Sequence, residues 1–233
     1  MAEPAIDITG LEFGWPGYPL LLAIPELRIA RGERVFLSGP SGSGKSTLLG
    51  LVGGVLRPRS GAVRVMGTSL SEAGSGARDQ FRGSHLGFIF QMFNLIPYLT
   101  IRENVLLPLQ FSAARRARLG EVAPGQEAER LLTALGLVQA DVLQRPVVEL
   151  SIGQQQRVAA ARALIGWPDV LIADEPTSSL DADARHDFLQ LLMNECEGHG
   201  TTVLFVSHDR SLGDLFDRRL ALADLNRVIR AAA

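Results

Sequence analysis

Residues 39–47 read Gly-Pro-Ser-Gly-Ser-Gly-Lys-Ser-Thr, and this stretch decides the fold. It matches the pattern G-x-x-x-x-G-K-[ST], in which glycines allow the backbone to wrap closely around a polyphosphate. A strand-like run, Val35 to Ser38, precedes the loop, and apolar residues at helical spacing follow it from Lys45 to Leu56. A strand, a glycine-rich loop and a helix in this order predict a phosphate-binding loop.

The residue types in this loop suit a nucleoside triphosphate. Backbone N–H groups and the positive end of the helix beginning at Lys45 attract anions. Lys45 would place a point charge on the β- and γ-phosphates, and the Ser46 hydroxyl would bind Mg²⁺. We therefore predict MgATP as the ligand, with Mg²⁺ as cofactor. The predicted ATP-binding residues of the loop are Gly39, Pro40, Ser41, Gly42, Ser43, Gly44, Lys45, Ser46 and Thr47.

A pair of adjacent acids follows a second apolar strand. Val170 to Ala173 is apolar throughout and runs directly into Asp174 and Glu175. Two carboxylates at the end of a core strand are costly without partners, which favours a chemical role. In a protein with a phosphate loop, the first acid suits the metal and the second suits the attacking water. We predict Asp174 as a Mg²⁺ ligand and Glu175 as the general base.

Three further segments place polar residues at strand ends or helix starts. Leu150-Ser-Ile-Gly-Gln154 opens a predicted helix with Ser151 in the N-cap position, which makes an anion site. This second phosphate site has no obvious use within one monomer, but it would suit the γ-phosphate of a nucleotide held by another subunit. Gln91 follows a predicted strand and could reach Mg²⁺ or the attacking water. His208 also follows a predicted strand and could reach the γ-phosphate.

The order of predicted elements is that of an α/β protein. Strand-like runs fill residues 5–36, strands alternate with helices around the motifs, and the stretch 91–165 has mostly helical spacing. We predict a P-loop NTPase (RecA-like) core with a mostly parallel sheet, an N-terminal antiparallel β subdomain and an inserted α-helical subdomain. The chain is interpreted as one domain, 1–233, with core residues 1–90 and 166–233 and helical residues 91–165.

Three local features lead to predictions of different kinds. Arg115, Arg116 and Arg118 form a basic cluster, which we interpret as the solvated face of a helix. Cys196 is the single cysteine and is interpreted as a buried structural thiol. The stretch Leu70–Gly83 is polar and rich in Gly and Ser, so its structure stays open.

Composition limits the class of protein. The chain has 233 residues, 46% of them hydrophobic, which allows a substantial core. Its net charge of −2 gives no electrostatic reason to expect nucleic acid as a partner. No run of about 18 apolar residues is present, and the N-terminus lacks a basic region followed by an apolar stretch. We therefore expect neither a membrane span nor a secretory signal.

Taken together, these motifs resemble the nucleotide-binding subunit of ABC transporters, in the family's order and over essentially the whole chain. Residues 39–47 resemble the Walker A motif, and residues 170–175 resemble the Walker B motif. Gln91 corresponds to the Q-loop, and residues 150–154 correspond to the signature motif. Residues 178–181 correspond to the D-loop, and His208 corresponds to the switch histidine. Trp15, within Phe13-Gly-Trp-Pro-Gly, takes the place of the aromatic residue that stacks on adenine.

The resemblance implies a mechanism in which two copies of the chain bind two ATPs at their interface. It implies catalytic roles for Gln91, Glu175 and His208 and metal ligation by Ser46, Gln91 and Asp174. The residues implied to contact ATP held by the other copy are Ser151, Gly153, Gln154 and Asp181. It also implies integral membrane permease subunits as partners, and no nucleic acid. The location would be cytoplasmic, peripheral on the cytoplasmic face of the inner or plasma membrane through the permease.

Within the family, residues 91–109 look most like the lipoprotein-release, macrolide-export and cell-division group. Permeases of that group have few membrane helices and often a large periplasmic portion. Export or extraction of lipoprotein, peptide or hydrophobic cargo is therefore the leading expectation. The residues expected to form the groove for the permease's cytoplasmic helix are Phe93, Leu95, Ile96 and Tyr98.

Two positions depart from the family pattern. Ile152 stands where the signature usually has glycine, and Ser179 stands where alanine is common. If position 152 is helical, a side chain is tolerated because the N–H group makes the contact. If it needs positive φ or close approach to phosphate, isoleucine is a handicap.

Other assignments stay open. A non-transport envelope complex of the cell-division type would use the same ATPase. A soluble ABC-type ATPase of DNA repair or of the ribosome fits less well, because repair relatives carry a coiled coil or zinc modules and ribosomal relatives usually carry two motif sets. A phosphate-loop kinase would leave residues 151–154 unexplained.

Overall fold

A computed structural model describes residues 3–137 and 143–228 of the chain. The chain divides into two compact units, a first unit of Met1–Arg82 with Leu204–Ala233 and a second unit of Gly83–Val203. The strands are β1 Ile6–Phe13, β2 Leu22–Ile29, β3 Arg34–Ser38, β4 Ser60–Val65, β5 Thr68–Ser69, β6 Leu86–Ile89, β7 Val170–Asp174, β8 Thr202–Ser207 and β9 Arg218–Ala221. The helices are α1 Lys45–Val52, α2 Ser75–His85, α3 Ile101–Phe111, α4 Ala113–Arg118, α5 Pro124–Ala134, α6 Ile152–Leu164, α7 Ala182–Gly198 and α8 Leu222–Leu225.

The first unit contains an antiparallel sheet with strand order β2-β1-β4-β5. Alternating residues of β1 are buried, because successive side chains of a strand point to opposite faces. Its apolar residues pair in register with those of β2, as Ile8 does with Leu27 and Leu11 with Ile24. The predicted N-terminal antiparallel subdomain is confirmed.

The same unit holds part of a parallel sheet, in which β3 lies between β8 and β9. Strands β3 and β9 pair in parallel, with Val35 opposite Arg218. Phe36, Phe205 and Phe216 pack together, with ring centroids 5.1 to 6.1 Å apart. This aromatic cluster fixes β3, which leads directly into the loop at 39–44.

The second unit combines β6 and β7 with helices. The two strands are parallel, with Leu86 opposite Val170 and Ile89 opposite Ala173. Helix α6 packs on β6 and on α3 and α5, and its inward face is small, because Ala159, Ala160 and Ala163 are buried there. The predicted α/β fold is confirmed. The predicted division into 1–90 with 166–233 and 91–165 stays a prediction. In the part of the chain that is described, no helix has the length and apolarity needed to cross a membrane.

The basic cluster on α4 differs from its prediction. Arg115 is only 2% exposed and donates hydrogen bonds to the carbonyls of Leu86 (2.5 Å) and Ile165 (3.0 Å). Burial, with a smaller effect of the Arg118 charge, lowers the pKa of Arg115 to about 10. Arg118 bonds to Asp169 at 2.8 Å, which leaves Arg116 as the exposed member. The interpretation as a solvated face was therefore wrong for Arg115, since one guanidinium can serve several carbonyls at once.

Two other local expectations have clear outcomes. Cys196, the single cysteine, is buried, as predicted. The open stretch 70–83 contains most of α2, which begins at Ser75.

Candidate functional site

The loop between β3 and α1 has the backbone that its glycines predict. Gly42 and Gly44 have φ values of 71° and 108°, a region that other residues rarely adopt. A Cβ on Gly39 would lie 2.9 Å from Ser43 Oγ, and one on Gly44 would lie 2.9 Å from a Leu22 methyl. A Cβ on Gly42 would meet nothing within 4 Å, so this position faces open space. Close packing thus favours glycine at positions 39 and 44, and the positive φ favours glycine at position 42.

Positive charge is concentrated at this loop. The Lys45 side chain is buried along its length, and Nζ donates to the carbonyls of Gly39 at 2.7 Å and Pro40 at 3.0 Å. Helix α1 begins at Lys45 with no acidic residue in its first turn. The helix N-terminus therefore keeps its positive partial charge for an outside anion. Ser46, the second residue of α1, is exposed.

Two more predicted residues belong to the first unit. Trp15 is 46% exposed and packs edge-on against Phe13 with ring centroids 5.2 Å apart. Its ring is thus held in place by one neighbour and is still open to solvent. His208 directly follows β8 and is exposed.

The second unit brings Gln91 to the same sheet edge as the acid pair. Strands β6 and β7 are parallel neighbours with Ile89 opposite Ala173, so Gln91 and Glu175 each lie two residues beyond a paired position. Asp174 is the last residue of β7. The carboxyl ends of parallel strands are where ligands bind in α/β sheets. Register, and not only motif order, therefore groups these three residues.

Glu175 has an unusual backbone. Its φ is 45°, in the left-handed region, which costs a non-glycine residue about 1–2 kcal/mol. Such outliers cluster at functional sites, and this one sits at the position predicted for the general base.

The start of α6 is capped as predicted. The Ser151 hydroxyl accepts from the backbone N–H of Gln154, and the Gln154 side chain accepts from the Ser151 N–H, which is a capping box. Ile152 is the first helical residue and its side chain is 57% exposed. Its φ is not positive. Of the two alternatives for this position, the helical one is the one found.

Gly153 is not required to be glycine by close packing of the chain. A Cβ there would meet Leu180 at 3.5 Å and Arg157 at 3.6 Å, which is ordinary van der Waals contact. The packing would therefore accept the Cβ of an alanine at this position. Asp181, another predicted contact, caps α7 by accepting from the Ala184 N–H at 2.9 Å. The nucleotide contacts of Ser151, Gly153, Gln154 and Asp181 stay predictions.

A cavity in the second unit was not predicted. It has a volume of about 290 Å³, and its lining includes Phe90, Leu107, Phe111 and Arg162. Phe111 is 78% exposed. None of the residues expected to form the permease groove lines this cavity; they are Phe93, Leu95, Ile96 and Tyr98. The available signal was the apolar run 105–109 on α3, which is followed by an exposed aromatic residue at the helix end, Phe111.

Comparison with known proteins identifies the family. A sequence model of the family described as ABC transporter matches residues 22–178. The ATP-binding protein LolD of the lipoprotein-releasing system of Anaeromyxobacter dehalogenans is 40% identical, over 96% of this chain and 92% of its own length. The macrolide export ATP-binding/permease protein MacB of Rhodopseudomonas palustris is also 40% identical over 96% of this chain, which spans 34% of that protein.

A solved structure agrees in fold. The bacterial ABC transporter cassette MJ0796, in its dimeric structure, superposes with a TM-score of 0.82 at 34% identity, over 93% of each chain. A second dimeric structure of that cassette, in a post-hydrolysis state with ADP and Pi, gives a TM-score of 0.81 at 33% identity. The chain belongs to the ABC transporter family and is an ATP-binding subunit of the LolD and MacB type, an ATPase.

Proposed function

We propose that this chain works as a dimer in which each ATP lies between the phosphate loop of one copy and the Ser151 end of α6 in the other. The observation that carries this proposal is the start of α6, which is capped, free of acidic residues in its first turn and exposed at Ser151 and Ile152. An anion site that is not required by the chain's own packing suits a phosphate brought by another molecule. The MJ0796 cassette, which is similar in fold, has a dimeric structure, and this supports the dimer part of the proposal.

In this arrangement the first unit supplies most of the nucleotide contacts. The residues of the loop from Gly39 to Thr47, other than Pro40, offer backbone N–H groups to the phosphates, and Lys45 adds its charge. Trp15 offers a held but exposed ring face to the adenine. From the other copy, Gly153, Gln154 and Asp181 are proposed to contact the same ATP together with Ser151.

The donor groups at the motifs fit Mg²⁺. Ser46 offers a hydroxyl, Asp174 a carboxylate and Gln91 an amide oxygen, all of them hard oxygen ligands of the kind that Mg²⁺ prefers. When bound, Mg²⁺ neutralises charge that develops on the phosphates.

The chain's own residues then carry the hydrolysis. Glu175 accepts a proton from the attacking water, and its left-handed backbone, a feature that clusters at functional sites, supports this role. Gln91 orients that water from the neighbouring strand end. His208 contacts the γ-phosphate and stabilises the charge of the transition state.

The partner that uses this ATPase is proposed to be a membrane permease, and the cargo a lipoprotein, peptide or other hydrophobic molecule that is exported or extracted. The names of the LolD and MacB relatives support this class. The apolar cavity with Phe90 and Phe111 is the surface proposed for a cytoplasmic helix of the permease. The chain would then lie on the cytoplasmic face of the membrane through that contact.

A purification tests the partner. The full chain, recovered from detergent-solubilised membranes of its source, should bring down a protein with several membrane helices. Its ATPase activity should rise in that complex. Recovery with ribosomes or DNA, and no membrane protein, would contradict the proposal.

A further inference from the structure

The segment between β6 and α3, residues 90–100, is held by side chains from two helices of the second unit. From α6, the Arg162 guanidinium donates to the carbonyls of Phe93 and Asn94, each at 2.6 Å. From α3, the buried Asn104 side chain accepts from the Ile96 N–H at 2.8 Å and donates to the Ile96 carbonyl at 3.1 Å. The backbone from Phe93 to Ile96 is therefore fixed at both ends.

The part bound by Arg162 is strained. Phe93 and Asn94 have φ values of 58° and 49°, both in the left-handed region. For residues other than glycine this conformation is strained, although less so for Asn than for Phe. Two such residues in succession persist only when their surroundings hold them. The carbonyls of these same two residues are the ones that accept from Arg162.

Arg162 is suited to this task. Its side chain is half-buried, and burial lowers the pKa of the guanidinium. A desolvated cation forms strong hydrogen bonds, and loss of a bond to a charged donor is costly. The planar guanidinium reaches two carbonyls at once, a geometry that a lysine ammonium does not reproduce.

Because Arg162 lies on α6, its contact with Phe93 and Asn94 links the helix that Ser151 caps to the turn that follows Gln91. Ser151 caps that helix, and Arg162 lies eleven residues further on, so the two ends are joined by about 16 Å of rigid helix. Gln91 lies two residues before Phe93. Arg162 also lines the apolar cavity together with Asn94. Arg162 thus belongs to the helix that Ser151 caps, binds the turn that follows Gln91 and forms part of the cavity wall.

We propose that Arg162 is a positioning residue that holds Phe93 and Asn94 of the 91–94 turn in their left-handed conformation against α6, so that Gln91 moves together with the Ser151 end of that helix. This inference rests on the proposed role of Gln91 in hydrolysis. Because a helix docked in the cavity would touch Arg162 and Asn94, the same contact carries the permease's position to Gln91.

The claim that Arg162 holds the turn is tested by a measurement that does not depend on ATPase activity. Hydrogen exchange of the full chain is measured for the amides of residues 92–95 in the wild type and in Arg162→Met. The variant is expected to exchange about tenfold faster there, because loss of the two bonds lets the turn open. The matched control is Arg157→Met, since Arg157 lies on the same helix and donates to the carbonyls of Leu135 (2.8 Å) and Gly153 (3.3 Å). Equal exchange in wild type and Arg162→Met would overturn the proposal.

A rescue experiment tests the mechanism. Arg162→Met is expected to lower kcat about tenfold while the Kd for ATP changes less than about twofold, because the turn and not the phosphate loop is affected. Adding Asn94→Gly removes the cost of one left-handed residue, so the double variant is expected to recover about a third or more of wild-type kcat. No recovery would show that Arg162 acts through helix packing and would overturn the proposal.

A last variant separates this inference from the proposed function. Gln91→Ala should lower kcat at least as much as Arg162→Met. If Gln91→Ala keeps wild-type kcat while exchange at 92–95 still rises in Arg162→Met, the role of Gln91 fails and the Arg162 contact stands.

Discussion

Ser151 and Gln154 cap each other: the hydroxyl of Ser151 accepts from the Gln154 N–H at 3.3 Å, and the Gln154 side chain accepts from the Ser151 N–H at 2.9 Å. Between them, Ile152 begins the helix with its side chain in solvent. The backbone N–H groups of this turn therefore keep their direction whatever side chain stands at position 152.

Ile152→Gly is expected to keep or raise ATPase activity. The position is helical and exposed, so removal of the side chain leaves the cap intact and only loses helix propensity, about 1 kcal/mol. The measurement is kcat and KM for ATP, with circular dichroism as a check of folding. A large loss of kcat in a folded variant would show that the isoleucine itself takes part in the dimer contact.

Arg115→Met is expected to destabilise the chain by about 3 kcal/mol, since it leaves buried carbonyls of Leu86, Ala163 and Ile165 without their donor. Arg116→Met, one residue along the same helix and exposed, should cost less than about 1 kcal/mol. Urea unfolding compares the two. Equal losses would show that the buried guanidinium contributes nothing specific.

Phe111→Asp is expected to abolish recovery of the permease while ATPase activity of the isolated chain stays within about twofold of wild type, because an exposed charge destabilises an apolar contact and not the fold. Val122→Asp replaces another exposed apolar residue that does not line the cavity and serves as the control. Co-purification from detergent extracts gives the result. Undiminished recovery with Phe111→Asp would place the docking surface elsewhere.

Glu175→Gln is expected to abolish turnover and to retain ATP, because the amide keeps the size of the side chain and loses its ability to accept a proton. The trapped nucleotide should hold two copies together. Gel filtration with light scattering, with and without MgATP, measures this. Normal hydrolysis by the variant would remove Glu175 from its proposed role.

The sequence predicted those parts of the structure whose causes are local. The loop 39–47 carries its conformation in its glycines, and the cap at Ser151 follows from a serine three residues before a glutamine. The grouping of Gln91 with Glu175 needed the pairing of β6 with β7, which motif order suggested and register established.

Features that depend on distant partners escaped prediction. The spacing of Arg115 placed it on a helix face, but its partners at Leu86 and Ile165 come from other elements. Phe93 and Asn94 are left-handed although neither is glycine, because Arg162, far along the chain, holds their carbonyls. In both cases one arginine satisfies backbone groups that local patterns cannot reveal.

A mixing experiment with two variants, both also carrying Glu175→Gln, tests most directly whether two copies share each nucleotide. Lys45→Ala removes the loop's charge, and Ser151→Phe blocks the start of α6, so each variant alone should retain no ATP. In a mixed dimer both defects fall at one nucleotide site and the other site is intact. We predict about one ATP retained per mixed dimer by gel filtration and nucleotide analysis. If the mixture retains none, although Glu175→Gln alone retains ATP, the two motifs do not act on one nucleotide from two copies.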